Sequence, residues 1–179
     1  MHFNFKSRNL KSSVIDQFQE ILRALKVNKE GYKSVSIDVV EDVLDRITRA
    51  LCVKEGVPTL ADFKGFNRGY TLLDMTFKAL IEDLRSLPMN VIFISRELDD
   101  KDDSNKKHPG IKNKYYNIVT GNCDISVHTQ QVSGHYYRSV DKIRRKYYGS
   151  QIQDPELLHV LKNIPGALAP EPQPTKAGK

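Results

Sequence analysis

Four consecutive apolar residues, Val91 to Ile94, constrain the fold of this chain more than any other feature. They follow a long amphipathic segment, YTLLDMTFKALIEDLRSL, which Pro88 closes. The apolar positions of that segment recur at helical spacing: Leu73, Phe77, Leu80, Ile81 and Leu84. An unbroken apolar strand after such a helix is typical of a parallel sheet with both faces covered. The segment NVIFIS is therefore predicted to be a strand buried on both faces.

The remaining patterns predict an α/β fold. SSVIDQFQEILRAL and VVEDVLDRITRAL are amphipathic at helical spacing, and the alternating segment YKSVSID between them predicts a strand. Further along, IKNKYYNIV and DPELLHVLKNI predict short helices, whereas RELDDKDDSNKKHPG predicts a polar loop. CDISVHTQQ and HYYRSV predict two strands joined by Val132-Ser133-Gly134. The order of elements predicts a sheet whose first strands are parallel and whose last two form an antiparallel hairpin.

Length and composition predict one domain over residues 1–164 of the 179, followed by a disordered, proline-rich tail over residues 165–179. HFNF near the N-terminus could add a short strand. No apolar run approaches the ~20 residues of a membrane span, and no signal-peptide core is present. Two cysteines cannot build a disulfide framework or a metal cluster by themselves. We therefore expect an intracellular protein with free thiols and no membrane partner.

Polar residues follow both predicted parallel strands. Asp38 ends the first strand, and Ser95, Arg96 and Glu97 follow the second. Ligands of open α/β sheets bind at the carboxyl ends of the strands, and in P-loop ATPases a strand-end aspartate holds the magnesium ion of ATP. An aspartate in this position can equally cap the helix that starts at Val39. The local sequence leaves both interpretations open.

A phosphate-binding P-loop, G-x-x-x-x-G-K-[ST], is absent from the sequence. Its glycines let backbone N–H groups surround the phosphate oxygens, and its lysine meets the β- and γ-phosphates. Gly65 and Gly69 are four apart, but Tyr70 stands where the lysine is needed, and Gly178-Lys179 closes the chain. Asp38 therefore lacks the backbone cradle that normally presents phosphates to such an aspartate.

Aromatic and basic residues alternate in GHYYRSVDKIRRKYYGSQ. Tyrosine rings can stack on unpaired bases while Arg and Lys side chains follow the phosphates. The net charge of +6 is compatible with such a partner. The alternative is a sheet edge with core tyrosines and solvated basic residues. The predicted contacts with nucleic acid, or with a neighbouring subunit, are Tyr136, Arg138, Lys142, Arg144, Arg145 and Lys146.

From about Phe5 to Tyr148, the sequence resembles the nucleotide-binding proteins of bacteriophages and their hosts. These are RecA-like P-loop ATPases related to the phage single-strand annealing and recombination ATPases. GYKSVSID resembles the family's magnesium-site strand, and the segment GYTLLDMTFKALIEDLRSLPMNVIFISRE resembles its long helix and following strand. HPGIKNKYYNIVTGNCDISVHTQ and GHYYRSVDKIRRKYY resemble its later segments, in the same order.

The resemblance implies a RecA-like P-loop NTPase core and a role for each residue at the sheet edge. Asp38 would bind Mg²⁺, and Ser95, the implied catalytic residue, would contact the γ-phosphate of ATP or its attacking water. Arg96 would complete the nucleotide site, although the family usually has histidine there. The family's P-loop unit, with the acid that polarises water, would lie N-terminal to Met1.

The function implied by this resemblance is nucleotide-dependent handling of single-stranded DNA in phage recombination or replication, in the cytoplasm of the bacterial host. Partners would be single-stranded DNA and either further copies of the chain or other phage proteins. ATP and Mg²⁺ would bind only if the P-loop is supplied elsewhere. Three explanations for its absence stay open: an incomplete gene product, half of a split ATPase, or a non-catalytic adaptor that retains a degenerate P-loop NTPase scaffold.

Overall fold

The computed structural model of the chain describes residues 13–99 and 107–172, and every structural statement below concerns these residues. The possible strand at HFNF and the last seven residues of the tail lie outside them. The chain divides into two compact units, the first ending at Val119 and the second beginning at Thr120. None of the helices in the described ranges has the length and apolar character that crossing a membrane requires.

The first unit alternates helices and strands as the sequence predicts. Its elements are α1 (Val14–Val27), β1 (Ser34–Asp38), α2 (Val40–Glu55), α3 (Arg68–Arg85), β2 (Asn90–Ile94), β3 (Glu97–Asp99), β4 (Lys107–Pro109) and the start of α4 (Asn113–Asn122). β1 and β2 are parallel, as predicted, with Ser34 opposite Asn90 and Asp38 opposite Ile94. The carboxyl ends of both strands therefore lie at one edge of the sheet.

The core of the first unit is formed by the apolar faces of its helices. Ser13 caps α1 by accepting a hydrogen bond from the N–H of Ile15 at 3.1 Å, as its position before the periodic segment predicts. The predicted apolar stripe of α3 is buried, and Phe77 in its middle is completely inaccessible to solvent. The buried side chains of α1, α2 and α3 include Phe18, Leu22, Leu25, Val43, Ile47, Leu51, Leu73, Phe77, Leu80, Ile81 and Leu84.

The prediction that the NVIFIS strand is buried on both faces is wrong for this chain. Ile92 and Ile94 in β2 are 49 % and 39 % exposed, whereas the alternate residues Val91 and Phe93 are half-buried. The sheet has only two strands in the described residues, and one of its faces is open. A run of apolar residues predicts the side chains that need cover, but it does not predict which polypeptide provides that cover.

The polar-loop prediction for RELDDKDDSNKKHPG is wrong at both ends of that segment. β3 and β4 pair antiparallel there, with Glu97 opposite Pro109 and Leu98 opposite His108. Backbone N–H and C=O groups carry this pairing, so the polar side chains that suggested a loop do not oppose it. Residues 100–106, in the middle of that segment, lie outside the described residues.

The second unit is built on the predicted hairpin. β5 (Ile125–Val132) and β6 (His135–Ile143) are antiparallel and are joined by the two residues Ser133 and Gly134. Both turn residues have positive φ (51° and 81°), as the commonest tight hairpin turn requires. The predicted terminal helix is α5 (Pro155–Lys162), whose N-cap is Asp154.

The start of the predicted disordered tail packs against the second unit. Ala167 is completely buried, and the N–H of Ala169 donates to the carbonyl oxygen of Tyr147 at 2.8 Å. Glu171 accepts from the N–H of Ser150 at 2.8 Å and from its hydroxyl at 2.7 Å. Small residues and a single carboxylate therefore hold residues 166–171 in place.

Candidate functional site

The three residues that were predicted to form a nucleotide site lie together at the carboxyl edge of the β1–β2 sheet. Asp38 ends β1 opposite Ile94, and Ser95 and Arg96 follow Ile94 directly. All three residues are exposed. We refer to Ser95 and Arg96 together as the β2 turn.

The alternative interpretation of Asp38 as a helix cap is wrong. The N-cap of α2 is Val39, whose backbone is extended, and no side chain caps the helix. The helix therefore begins at Val40, and the peptide bond between Asp38 and Val39 is cis. The Asp38 carboxylate is thus not engaged as a cap, which leaves it at the sheet edge.

Two carboxylates in the first turn of α2 bind the donors of the β2 turn. The hydroxyl of Ser95 donates to Glu41 Oε1, and the N–H of Arg96 donates to the same oxygen at 3.1 Å. The Arg96 guanidinium donates from Nη2 to Asp42 Oδ1 at 3.0 Å. We call Glu41 and Asp42 the acidic pair. Sequence reasoning missed it, although its position one helical turn after a strand-end aspartate was a usable signal.

The segment that follows β4 lies close to Glu41. The N–H of Gly110 donates to the carbonyl oxygen of Arg96, and a Cβ added at Gly110 would lie 3.1 Å from Glu41 Oε1. Glycine therefore allows this segment to approach the acidic pair closely. The second carboxylate oxygen, Oε2, is buried and has no hydrogen-bond partner in the described residues. An unpartnered buried acceptor is costly, which marks this carboxylate as unusual in the fold.

The predicted nucleic-acid contacts fall into two groups on the hairpin. Tyr136 and Arg138 in β6 lie opposite Gln131 and Thr129, so these four side chains share one face of the hairpin. Tyr136 is 78 % exposed there. Tyr137, which is 51 % exposed, lies on the opposite face. The face that carries Tyr136 and Arg138 combines an accessible ring with a guanidinium group, and we call it the Tyr136 face.

Two of the other basic residues near the base of the hairpin, Arg144 and Arg145, already have structural contacts. Arg144 donates from Nη2 to the carbonyl oxygen of Gly121 in the last turn of α4, where a cation is favourable. The Arg145 guanidinium lies over the ring of Tyr147, with Cζ 5.0 Å from the centroid. Lys142 lies in β6 opposite Ser126, and Lys146 is exposed. Arg144 and Arg145 therefore stabilise the second unit whether or not they touch a ligand.

A cleft of about 380 Å³ lies at the base of the hairpin and contains a cysteine. Cys123, Asp124, Lys142 and Arg144 are among its lining residues. Burial, followed by the charge of Asp124, raises the pKa of the Cys123 thiol. Because the thiolate is the reactive form, this environment does not favour a nucleophilic role for Cys123.

A family model described as an AAA domain matches residues 5–149, which is most of the chain. The chain belongs to this AAA domain family. AAA domains are of the P-loop NTPase type, so the predicted relationship to P-loop ATPases is confirmed at that level. The mixed α/β architecture, with its small parallel sheet and its antiparallel hairpin, is consistent with such a domain. No curated protein and no solved structure is significantly similar to the chain.

Membership of the AAA family implies that Mg²⁺ and a nucleoside triphosphate bind. The residues of this chain fit part of a Mg²⁺ site. Mg²⁺ is usually held by one or two carboxylates together with substrate phosphates, and Asp38 can supply one carboxylate at the sheet edge. In the described residues, no group of three or more His, Cys, Asp or Glu side chains is placed to hold a metal ion without a substrate. Asp38 would therefore bind Mg²⁺ only together with phosphates.

The phosphates themselves do not fit the residues of this AAA domain as they stand. The 179 residues contain no G-x-x-x-x-G-K-[ST] cradle. Three donors of the β2 turn are bound to the acidic pair: the Ser95 hydroxyl, the Arg96 N–H and one N–H of the Arg96 guanidinium. A triphosphate at this edge therefore requires further donors and a rearrangement of the β2 turn.

Proposed function

We propose that this chain is the magnesium-binding part of an ATPase-like assembly in which another segment or subunit supplies the phosphate cradle. The observation that carries the proposal is the parallel register of β1 and β2, which places Asp38 beside Ile94 and hence beside the β2 turn. In this proposal Asp38 binds Mg²⁺, Ser95 contacts the γ-phosphate or the attacking water, and Arg96 contacts the nucleotide. Membership of the AAA domain family supports the nucleotide as ligand.

The nucleotide proposal is tested by comparing the chain alone with a protein that also carries the translated coding sequence upstream of Met1. Binding of a fluorescent ATP analogue is measured with and without Mg²⁺. For the chain alone we expect no Mg²⁺-dependent binding and no thermal shift with ATP. For the longer protein, or for an assembly purified with its partner subunit, we expect Mg²⁺-dependent binding that Asp38→Asn abolishes.

Asp45→Asn is the matched control, because Asp45 is an exposed acid in α2, the helix that follows Asp38. Mg²⁺-dependent ATP binding that persists in Asp38→Asn would remove Asp38 from the metal site. Tight Mg²⁺-dependent binding by the chain alone would contradict the need for an external cradle.

We further propose that the assembly acts on single-stranded DNA in phage recombination or replication, in the cytoplasm of a bacterial host, and that the Tyr136 face contacts the strand. The exposed ring of Tyr136 can stack on a base while Arg138 meets a phosphate. Lys142 and Lys146 extend the positive charge along the same segment. The assembly contains either several copies of the chain or other phage proteins.

The DNA proposal is tested by fluorescence anisotropy with an oligo-dT strand over a range of NaCl concentrations. Tyr136→Ala should weaken binding by about 1–3 kcal/mol. Arg138→Ala should weaken it and reduce the salt slope by about 1. Tyr137→Ala, on the opposite face, is the control and should have less effect. Equal effects of Tyr136→Ala and Tyr137→Ala would contradict the assignment of this face. Alanine at Arg144 and Arg145 is a poor test, because both side chains have structural contacts.

A second candidate function is a non-catalytic adaptor that keeps the AAA scaffold for protein interactions alone. Two observations favour it: the absence of a P-loop motif from the sequence and the occupation of the β2-turn donors by the acidic pair. The two candidates differ in the ATP experiment. An adaptor binds no ATP in the longer protein or in the purified assembly, whereas an ATPase-like subunit does so through Asp38.

A further inference from the structure

Three donors at the carboxyl end of β2 are bound to carboxylates of the same chain. They are the Ser95 hydroxyl, the Arg96 backbone N–H and one of the five N–H groups of the Arg96 guanidinium. Phosphate oxygens and carboxylate oxygens both act only as acceptors when ionised, so they compete for the same N–H and O–H groups. The acidic pair therefore competes with a phosphate for three donors of the β2 turn.

The proton of the Ser95 hydroxyl cannot serve a second acceptor at the same time. A hydroxyl group can donate only one hydrogen bond, and the Ser95 hydroxyl donates to Glu41 Oε1. The other oxygen near the Ser95 hydroxyl is the carbonyl oxygen of Arg96 at 3.3 Å, which is also an acceptor. In this arrangement Ser95 can accept hydrogen bonds but cannot donate to a phosphate oxygen. Its predicted contact with the γ-phosphate requires the bond to Glu41 to break.

Charge opposes the same ligand. Glu41 and Asp42 lie in the first turn of α2, where the helix dipole stabilises their negative charges. A polyphosphate that approaches the β2 turn would come close to both carboxylates and be repelled by them. Because Ser95 and Arg96 are exposed, access alone does not exclude the ligand.

We propose that the acidic pair is an internal competitor that holds the β2 turn closed to polyphosphate until a stronger set of donors delivers the ligand. The competition rests on the proposed function, because it regulates the nucleotide site suggested for this edge. It gives the chain a means of staying unliganded outside its assembly. Glu41 contributes most, since its Oε1 accepts from both Ser95 and the backbone of Arg96.

The test uses the full chain alone and inorganic tripolyphosphate as the probe, with binding followed by calorimetry and by the amide NMR shifts of Ser95 and Arg96. Glu41→Ala should bind the probe at least about tenfold more tightly than the wild type, because both a competing acceptor and a repelling charge are removed. Adding Arg96→Ala to Glu41→Ala should reverse the gain. Asp45→Asn, an equal change of charge on the exposed part of α2, should leave binding near the wild-type level.

Asp42→Asn provides a second variant if Glu41→Ala does not fold. The Asp42 side chain is about half exposed, so its loss removes a surface ion pair at little cost to stability. We expect a gain in affinity of about threefold. Variants that fold but bind tripolyphosphate no more tightly than Asp45→Asn would overturn the competition.

The two proposals fail in different ways. Tighter tripolyphosphate binding by Glu41→Ala, with no Mg²⁺-ATP binding in the longer protein, would leave the competition in place and remove the proposed function. Conversely, the longer protein could bind ATP through Asp38, with no increase in affinity on Glu41→Ala. That result would keep the proposed function and remove the competition.

Discussion

Two helical glycines, Gly69 and Gly121, have opposite surroundings and should respond oppositely to alanine. A Cβ at Gly69 would overlap the carbonyl oxygen of Leu60 and lie 2.9 Å from the ring of Phe63, whereas a Cβ at Gly121 would meet nothing within 4 Å. We expect Gly69→Ala to lower the free energy of unfolding by about 1–3 kcal/mol through overpacking. Gly121→Ala should raise it by about 0.5–1 kcal/mol, because alanine restricts the unfolded chain. Denaturant unfolding measures both, and equal effects would contradict the packing at Gly69.

Tyr115 should make the stability of the first unit fall at alkaline pH. Its ring packs edge-on against Phe77, with 5.4 Å between the ring centroids. Burial, followed by the Asp74 carboxylate, raises the pKa of Tyr115 to about 12. The unfolded state therefore releases this proton near pH 10, while the folded state retains it until about pH 12. Stability is lost as the pH rises between these values, because the folded state binds more protons. Urea unfolding at pH 8 and pH 11 should show a smaller loss in the free energy of unfolding for Tyr115→Phe than for the wild type. Equal losses in the two proteins would contradict this prediction.

Glu41 shows why the sequence predicted which residues lie at the carboxyl edge of the sheet but not the contacts made there. Asp38, Ser95 and Arg96 were predicted because they lie at the ends of strands. The apolar pattern of a few neighbouring residues is enough to predict where a strand ends. The bonds from Glu41 and Asp42 to the β2 turn join residues more than fifty positions apart. Their formation depends on how α2 leaves β1 and on Gly110 allowing a close approach, and neither is encoded in a local pattern.

At the scale of elements, periodicity predicted the helices and the parallel pair well. α1, α2, α3 and α5 begin and end close to their predicted positions, because apolar spacing specifies them locally. Ser13 and Asp154 also cap α1 and α5. The hairpin was predictable because Ser133-Gly134 is a strong turn signal. β3 and β4 were missed, because only three residues pair on each strand and most of their side chains are polar.

The segment after α5 was predicted to be disordered because it is rich in proline, yet Glu171 fixes it to Ser150. The N–H and hydroxyl of Ser150 lower the pKa of Glu171. The contact is therefore complete above the ordinary glutamate pKa of 4.5, and it is lost as the pH falls through the lower pKa of the folded state. The amide proton shift of Ser150, followed by NMR from pH 7 to pH 2.5, should titrate with a midpoint below 4.5.

Glu171→Gln should abolish this titration of the Ser150 amide, because the amide side chain does not ionise. Glu156→Gln, an exposed position at the start of α5, should leave it unchanged. A Ser150 shift that titrates equally in the wild type and in Glu171→Gln would show that another carboxyl group is responsible.

At the scale of the whole molecule, the parallel sheet is covered on one face only. Composition and periodicity predict that both faces need cover, since Ile92 and Ile94 continue the apolar run of β2. The described residues do not provide it, and both side chains stay substantially exposed. The apolar run of β2 predicts which side chains need cover, but no local pattern specifies which segment provides that cover.

The open face makes a quantitative prediction about stability. Because Ile92 and Ile94 are exposed, Ile92→Thr and Ile94→Thr should each lower the free energy of unfolding by less than about 1 kcal/mol. Ile37→Thr, on the opposite and less accessible face of β1, is the control and should cost about 1–3 kcal/mol. Denaturant unfolding at two protein concentrations gives both values. A loss above 2 kcal/mol at Ile92 that is independent of concentration would mean that the chain itself covers this face, whereas a loss that grows with concentration would mean that a second copy does so.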